Sequence, residues 1–157
     1  MWNRDHSEAS LLKPVQDLLQ ARGFRLATLR YMFYDHATYR RLLERSRAMV
    51  FLCEHETQGI AYQEAMASNV PILAWDNGYW LDPLAHRFEK EMVPASSVPF
   101  FSADCGERFA DWPGFAPALE RFLARLPDLK PRQYVREHLS LERSAQIYAR
   151  HYFSLLN

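Results

Sequence analysis

The first part of the chain alternates between helical and extended patterns of hydrophobic residues. Apolar residues at helical spacing predict a helix over 13–23, with Pro14 in its first turn and Gly23 as its C-terminal cap. A short strand is predicted over 24–29, where the helical spacing is lost. A second helix is predicted over 39–47, because its leucines recur on one face.

The middle of the chain predicts two buried strands with a helix between them. The uninterrupted apolar run over 48–53 is typical of a strand that is covered on both faces, as in a parallel sheet. A helix over 59–68 and a second strand over 70–75 follow, and Asp76-Asn77-Gly78 predicts a turn. Alternating strands and helices indicate a parallel α/β sheet with right-handed crossovers.

The last part of the chain predicts one more strand and two helical regions. The strand is expected over 97–102, and the first helical region over 109–126, with interruptions at Pro113-Gly114 and Pro117. The final helix is predicted to begin near Ser140, a plausible N-cap. One apolar stripe, at steps of four and three, runs along it: Leu141, Ala145, Tyr148, Tyr152 and Leu155.

These elements predict one Rossmann-like α/β domain over 1–157, a parallel sheet flanked by helices. No strand is predicted before the first helix, although a doubly wound domain normally opens with a strand at the centre of its sheet. We therefore expect the chain to begin just after such a strand. A homodimer, or a strand from a partner chain, would then complete the sheet.

Charge and cysteine content narrow the range of partners and compartments. The 19 basic and 19 acidic residues cancel, which argues against a generic nucleic-acid binder and against a dominant electrostatic membrane anchor. Cys53 and Cys105 lie far apart and form neither a disulfide framework nor a zinc-binding spacing, so a cytoplasmic location is expected. The polar first residues do not predict a signal peptide, and no apolar run approaches the ~20 residues of a membrane helix.

The segment 56–67 carries the candidate chemistry, because it follows a buried strand and opens a helix. In an open α/β sheet, ligands bind outside the carboxyl ends of the strands. Gly59 allows close approach of the backbone, and the free amides of the next turn favour an anion such as a diphosphate. Glu64, over one turn into the helix, can accept hydrogen bonds from two vicinal hydroxyls, as on a ribose. Glu56 precedes the helix and can face the group attached to the far phosphate.

This segment resembles a known motif. Glu56 and Glu64 are separated by seven residues, with Gly59 between them and Ala-Met-Ala after the second glutamate. The arrangement resembles the Glu-x7-Glu motif of retaining glycosyltransferases with the GT-B fold, the large group that uses UDP- or GDP-sugars. The family pattern continues here with Asn69-Val70-Pro71-Ile72-Leu73-Ala74 and a turn at Gly78. The resemblance covers roughly Lys13 to the C-terminus, and its specific part is 48–78.

The resemblance implies the C-terminal, donor-binding half of such an enzyme and a role for each matching residue. Glu56 would contact the donor sugar and stabilise its developing positive charge, and Glu64 would hold the ribose. Arg4 and Lys13 would neutralise the diphosphate, although their spacing is wider than in the family and Pro14 replaces the usual Gly. Residues of the loop and first helical turn would bind the diphosphate: Thr57, Gln58, Gly59, Ile60 and Ala61.

The resemblance also implies what else the enzyme requires. No metal or other cofactor is expected, because GT-B chemistry is metal-independent and the sequence has no Asp-x-Asp motif. The family's acceptor site lies on a separate N-terminal domain, so the chain looks too short for a whole enzyme and is expected to be inactive alone. The helix over 140–157 is expected to pack on that domain, which either belongs to the same chain or is supplied by a partner chain. Peripheral membrane association of the intact enzyme stays open.

Two other functions stay open. A nucleotide-sugar epimerase of the GT-B fold would convert the donor without an acceptor. A non-catalytic nucleotide-binding or interaction module would keep the fold without the chemistry, but the presence of both Glu56 and Glu64 argues mildly against it.

Several residues near the motif allow a structural or a functional interpretation. His55 is expected to be a local hydrogen-bonding residue rather than an acid or base. The turn at 76–78 either lines the sugar pocket or is only a turn. Core packing or an interface is the first expectation for three aromatic residues, with nucleobase stacking as the alternative: Tyr31, Phe33 and Tyr34. Trp80 and Trp112 are expected to be packing residues.

Overall fold

A computed structural model of the chain describes residues 5–80 and 92–155. Helices and strands alternate through the first of these ranges, and helices predominate in the second. In chain order the elements are α1 (Asp5–Ala21), α2 (His36–Leu43), β1 (Met49–Leu52), α3 (Ile60–Ala67), β2 (Ile72–Trp75), β3 (Gly106–Phe109), α4 (Trp112–Arg125), a 3-10 turn (Leu126–Asp128), α5 (Pro131–His138) and α6 (Leu141–Ser154).

The strands of the described ranges form a small, open, three-stranded parallel sheet in the order β1-β2-β3. Leu52 is in register with Trp75, and Trp75 with Phe109, so the carboxyl ends of the three strands lie at one edge. The predicted α/β class is therefore confirmed, and the sheet with its helices is compatible with a Rossmann-like half-fold.

Helices cover both faces of this sheet. Successive residues of β2 point to opposite faces, and all four are buried, so each helix layer has its own hydrophobic core. On one face, α1 and α4 pack against Leu73 and Trp75. On the other face, α2, α3 and α5 pack around Ile72 and Ala74. The segment that follows β1 therefore leaves the sheet at the carboxyl ends of the strands, between the two helix layers.

β1 is covered on both faces, as predicted, but it is only half-buried. Val50 packs with the α1–α4 layer, and Phe51 packs with the α2–α3 layer. The partial exposure has a simple cause, since β2 is the only described strand that pairs with β1.

The strand predicted over 24–29 is wrong. The chain leaves α1 through a turn in which Gly23 has φ +81° and the Phe24 amide donates to the Leu19 carbonyl at 3.1 Å. Residues 24–28 are exposed and have no strand partner among the described residues. The apolar side chains of this segment therefore do not enter the sheet.

The strand predicted over 97–102 is also wrong, since the third strand lies at Gly106–Phe109. Ser97 and Val98 are buried, but residues 97–102 form no strand. Polar residues occupy the middle of β3, and Glu107 there accepts hydrogen bonds from Arg121 and Arg125 of α4. Because ion pairs with α4 cover part of β3, this strand does not need an uninterrupted apolar run, and its sequence does not show one.

Several helix boundaries differ from the predictions. α1 begins at Asp5, so Pro14 lies inside the helix rather than in its first turn, while Gly23 follows the helix as expected. α2 begins earlier than predicted, because the Asp35 carboxylate accepts a hydrogen bond from the Thr38 amide at 2.6 Å. α4 is continuous through Pro117, and α5 was not predicted.

The final helix, α6, begins where expected. The Ser140 hydroxyl caps it by accepting a hydrogen bond from the Arg143 amide at 3.2 Å. Its apolar stripe faces solvent, with Leu141 86%, Tyr148 75% and Leu155 84% exposed. The part of the chain that the structure describes contains no helix long and apolar enough to cross a membrane.

Candidate functional site

The loop between β1 and α3 ends in a glycine whose backbone permits no other residue without strain. Gly59 has φ +72° and ψ +50°, and a Cβ atom there would come within 2.0 Å of Tyr62 Cε1. No side chain caps this end of α3 in the described structure. The amides of the first turn of α3 lie at the carboxyl ends of the strands. Together with the positive end of the helix dipole, they form a site that favours an anion.

Glu64 and the start of α3 border an open hollow of about 390 Å³ between α2, α3 and the segment before α2. Of the predicted donor-site residues, Ile60, Ala61 and Glu64 line this hollow. We call it the aromatic hollow, and its complete lining is Tyr31, Met32, Tyr34, His36, Tyr39, Ile60, Ala61 and Glu64.

The rim of the aromatic hollow is exposed rather than packed into the core. Tyr31 is 70% exposed and Met32 79%, and Met32 adopts a left-handed backbone with φ +70°. Phe33 beside them is 76% exposed, so core packing is the wrong expectation for Tyr31 and Phe33. Tyr34 is half-buried and contacts Tyr39, with ring centroids 5.6 Å apart. Flat, apolar faces thus border a carboxylate, an arrangement suited to stacking on a planar ring.

The phenols beside Glu64 stay protonated well above neutral pH. Burial, with a smaller contribution from the Glu64 carboxylate, raises the pKa of Tyr34. Burial also raises the pKa of Tyr39 strongly, and the neighbouring Tyr34 and Glu64 add to the shift. The Tyr39 hydroxyl donates to the Ala61 carbonyl at 2.5 Å, which fixes α2 against the first turn of α3.

Among the described residues, His36 is within hydrogen-bonding distance of Glu64. The distance from His36 Nε2 to Glu64 Oε1 is 2.9 Å, and the Glu64 side chain is 38% exposed. His36 occupies the first position of α2, and the two residues are 28 positions apart in sequence. Sequence spacing therefore gave no indication of this pair, which depends on how α2 packs on α3.

Glu56 lies in the loop after β1, half-buried, with its backbone tied to a second loop. The Glu56 backbone amide donates to the Ser96 carbonyl at 2.9 Å. The Glu56 side chain lies beside the Cys53 thiol, with 3.5 Å between the sulfur and Oε1. The Ser96 hydroxyl in turn donates to the Asp76 carboxylate at 2.8 Å. A chain of hydrogen bonds thus connects the end of β2 to the backbone of Glu56.

The chain bends at Gly78 within the predicted Asp76-Asn77-Gly78 turn, and the Asp76 carboxylate has a further structural role. Asn77 Oδ1 accepts from the Tyr79 amide at 2.7 Å, and Gly78 has φ +85°. The Asp76 carboxylate also accepts from the Ser97 amide at 3.2 Å and lies 3.5 Å from Arg108 Nε. Asp76 therefore holds the Ser96 loop in place.

Gln63 stiffens the loop that contains two other predicted donor residues. The Gln63 side-chain amide donates to the Gln58 backbone carbonyl at 2.6 Å. The two donor residues of this loop, Thr57 and Gln58, are exposed. The Tyr62 hydroxyl accepts from the Phe100 amide at 3.0 Å, and Tyr62 is fully buried. Neither contact was predicted, because each depends on the tertiary fold rather than on the motif.

Of the two predicted basic residues, Lys13 does not lie beside the loop. Lys13 forms an ion pair with Asp17 of its own helix, and α1 packs on the opposite face of the sheet from α3. Arg4 lies outside the described residues. The predicted role of Lys13 at a diphosphate would require this ion pair to open.

The remaining aromatic contacts are those of packing. The His55 ring meets Trp80 edge-on, with centroids 6.0 Å apart. Trp112 stacks on Phe115 with centroids 5.7 Å apart, as expected for a packing residue. Within 5–80 and 92–155, no group of three or more His, Cys, Asp or Glu side chains is arranged to hold a metal ion.

Comparison of the chain with protein-family models, curated proteins and solved structures gave no match. Function is therefore inferred from the residues of the chain and their geometry.

Proposed function

We propose that this chain is the donor-binding domain of a retaining glycosyltransferase of the GT-B type, which binds a UDP- or GDP-linked sugar. One observation carries the proposal: Glu64, the uncapped start of α3 and exposed aromatic side chains border the same open hollow. These are the three kinds of group that a nucleoside diphosphate requires: a surface for the ring, an acceptor for the ribose hydroxyls and donors for the phosphates.

The diphosphate is assigned to the start of α3. The amides of Ile60 and Ala61 belong to the first helical turn, in which backbone donors have no partner within the helix. Gly59, the N-terminal cap of α3, makes no side-chain hydrogen bond to these donors, so they stay available to an anion. Charge-assisted hydrogen bonds of this kind are stronger than bonds between neutral groups.

The ribose is assigned to Glu64. His36 engages one carboxylate oxygen, and the other has no partner among the described residues. A carboxylate accepts hydrogen bonds from two vicinal hydroxyls without a change in its own protonation. Glu64 lies one turn inside α3, so a ribose there is one helical turn from the assigned diphosphate.

The nucleobase is assigned to the rim of the aromatic hollow. Tyr31, Met32 and Ile60 line the hollow, and each is more than half exposed. Exposed aromatic and thioether groups provide sequence-tolerant stacking surfaces for a planar ring. Covering these side chains would remove apolar surface from water and so favour binding.

The sugar is assigned to the side of the α3 N-terminus where Glu56 lies. Its backbone is fixed by Ser96, and Ser96 is fixed by Asp76. A carboxylate held at this place would stabilise the positive charge that develops on the sugar ring as the diphosphate leaves. The acceptor would come from another domain or chain, and the exposed stripe of α6 offers a surface for it.

The proposal is tested by calorimetric titration of the folded chain with UDP and with GDP. Wild type should bind one of them, and Glu64→Ala should weaken that binding by about tenfold or more, the cost of losing hydrogen bonds to a charged group. Glu137→Ala is the matched control, since Glu137 is an exposed helical glutamate of α5 that pairs with Gln133. Equal binding by the Glu64 and Glu137 variants, or no binding by folded wild type, would reject the proposal.

Incubation of the chain with nucleotide sugars, without an acceptor, distinguishes a transferase from an epimerase. A donor half of a transferase leaves UDP- or GDP-sugars unchanged when no acceptor is present. Conversion of the sugar by the chain alone would instead identify an epimerase.

A further inference from the structure

We propose that His36 is a positioning residue that orients Glu64 for ribose and thereby makes the site selective for ribonucleotides over deoxyribonucleotides. This inference rests on the proposed function. It starts from the 2.9 Å contact between His36 Nε2 and Glu64 Oε1, which bridges α2 and α3 across the aromatic hollow.

The position of His36 is fixed by the cap of its helix. Asp35 Oδ1 accepts from the Thr38 amide at 2.6 Å, and Asp35 Oδ2 accepts from the Thr38 hydroxyl at 3.0 Å. These bonds hold the first turn of α2, in which His36 is the first residue. The imidazole is consequently carried by a defined backbone rather than by a free loop.

The two helices are also fixed to each other. The Tyr39 hydroxyl donates to the Ala61 carbonyl at 2.5 Å, one helical turn from His36 on α2 and close to Glu64 on α3. The Tyr39 side chain is buried in the core shared by α2 and α3. The distance between His36 and Glu64 is therefore set by the same packing that forms the core.

Among the described groups around Glu64, His36 is suited to hold the carboxylate. The phenols of Tyr34 and Tyr39 lie close enough to interact electrostatically with Glu64, but Tyr39 directs its hydroxyl to the Ala61 carbonyl. The imidazole contacts Oε1, no hydrogen bond to Oε2 is formed by the described residues, and Glu64 lines the hollow. A glutamate held in one rotamer loses less conformational entropy when a ligand binds, so affinity rises.

This arrangement predicts which ligands gain from His36. An oriented carboxylate gains only from a ribose that presents both vicinal hydroxyls, and a deoxyribose leaves part of it unpaired. Loss of His36 should therefore lower the affinity for ribonucleotides more than that for 2′-deoxyribonucleotides. A purely structural role in α2 would lower both affinities by the same factor.

The experiment is calorimetric titration of three variants with UDP and GDP and with their 2′-deoxy analogues. His36→Phe removes the hydrogen bond and keeps a ring, while His36→Gln keeps a donor at the same place. The matched control is His138→Gln at the end of α5, next to Glu137. Thermal unfolding of each variant verifies that it is folded.

We expect His36→Phe to lower the affinity for the ribonucleotide by about three- to tenfold, with less than a twofold change for the deoxy analogue. His36→Gln should restore most of the preference, and His138→Gln should behave as wild type. Equal losses of affinity for the ribonucleotide and its deoxy analogue, or no loss in His36→Phe, would overturn the positioning role. Neither result would contradict the proposed donor site. Absence of any nucleotide binding by folded wild type would overturn the proposed function, and this inference with it.

Discussion

The ring of Tyr62 fills the space that a side chain at Gly59 would need. A Cβ atom on Gly59 would lie 2.0 Å from Tyr62 Cε1, and Gly59 has φ +72°. Tyr62 cannot yield easily, because it is fully buried and its hydroxyl accepts from the Phe100 amide at 3.0 Å. The shape of the proposed phosphate-binding turn is thus set by the core beneath it.

Gly59→Ala should therefore lower both stability and nucleotide affinity. The left-handed backbone alone costs about 1–2 kcal/mol for a residue with a Cβ, and the clash with Tyr62 adds a further ~1–3 kcal/mol. Urea denaturation measures the loss. Gly23→Ala is the control, since Gly23 has φ +81° and open space around it. If both variants lose the same stability, Tyr62 does not restrict position 59.

Gly106→Ala should be the more damaging glycine substitution. Gly106 has φ +150°, and a Cβ atom there would lie 1.8 Å from the Ile72 carbonyl oxygen, which is backbone of the central strand. The pairing of β2 with β3 would have to separate, at a cost of about 3 kcal/mol or more. Denaturation of the variant, or its yield as folded protein, measures this. A loss no larger than that of Gly23→Ala would contradict it.

Stability should fall at alkaline pH through groups that are buried in their neutral form. Burial raises the pKa of Tyr62 above the ordinary phenol value of 10.0, and the pKa of the Cys105 thiol above 9.0. Burial raises the pKa of Tyr39 in the same direction. The folded chain therefore retains these protons at a pH where the unfolded chain releases them, so the free energy of unfolding declines as pH rises above these ordinary values.

Tyr39→Phe tests that explanation. The variant should lose about 1 kcal/mol at neutral pH, because the hydrogen bond from the Tyr39 hydroxyl to the Ala61 carbonyl is gone. It should then decline less steeply between pH 9 and 11 than wild type, as measured by urea denaturation at each pH. Parallel curves for the two proteins would show that Tyr39 does not contribute to the alkaline loss.

Glu56→Gln should weaken the binding of the nucleotide sugar more than the binding of the nucleotide alone. The nucleoside diphosphate should bind with less than about a twofold change, because Glu56 is assigned to the sugar, and the nucleotide sugar should bind about three- to tenfold more weakly. Titration of the same variant with both ligands provides the comparison. An equal loss for both would place Glu56 at the phosphates instead.

The stripe of α6 should be unimportant for the stability of the isolated chain. Tyr148 is 75% exposed, so Tyr148→Ser should change the free energy of unfolding by less than about 0.5 kcal/mol. Light scattering of wild type and variant would reveal whether the stripe mediates self-association. A loss above about 1 kcal/mol, or dissociation of an oligomer, would show that the stripe is covered in solution.

The loop and helix of the candidate site were predictable because their pattern is local. The run from Met49 to Trp75 contains strand, glycine turn, helix and strand in uninterrupted order, and each has a distinct spacing. The opposite wall of the hollow was not predictable, since His36 reaches Glu64 only through the packing of α2 on α3.

The third strand was misplaced for a different physical reason. Glu107 and Arg108 interrupt the apolar pattern of β3, and arginines of α4 compensate for Glu107. In contrast, Val98 is buried in the core without belonging to a strand. The residues of β2 are both buried and paired, whereas Val98 is buried without pairing and Glu107 is paired without being fully buried. The apolar pattern of a single sequence reports burial and does not report pairing.

The most direct test of a nucleotide site is to locate the bound nucleotide by amide chemical shifts. Titration of ¹⁵N-labelled chain with UDP and with GDP should perturb the amides of Ile60, Ala61 and Glu64 together with those of Tyr31 and Met32, which line the same hollow. Glu64→Ala should strongly reduce these changes at the same nucleotide concentration, in line with its weaker binding. Absence of any change, or perturbations confined to the basic surface around Lys130 and Arg136, would contradict the account.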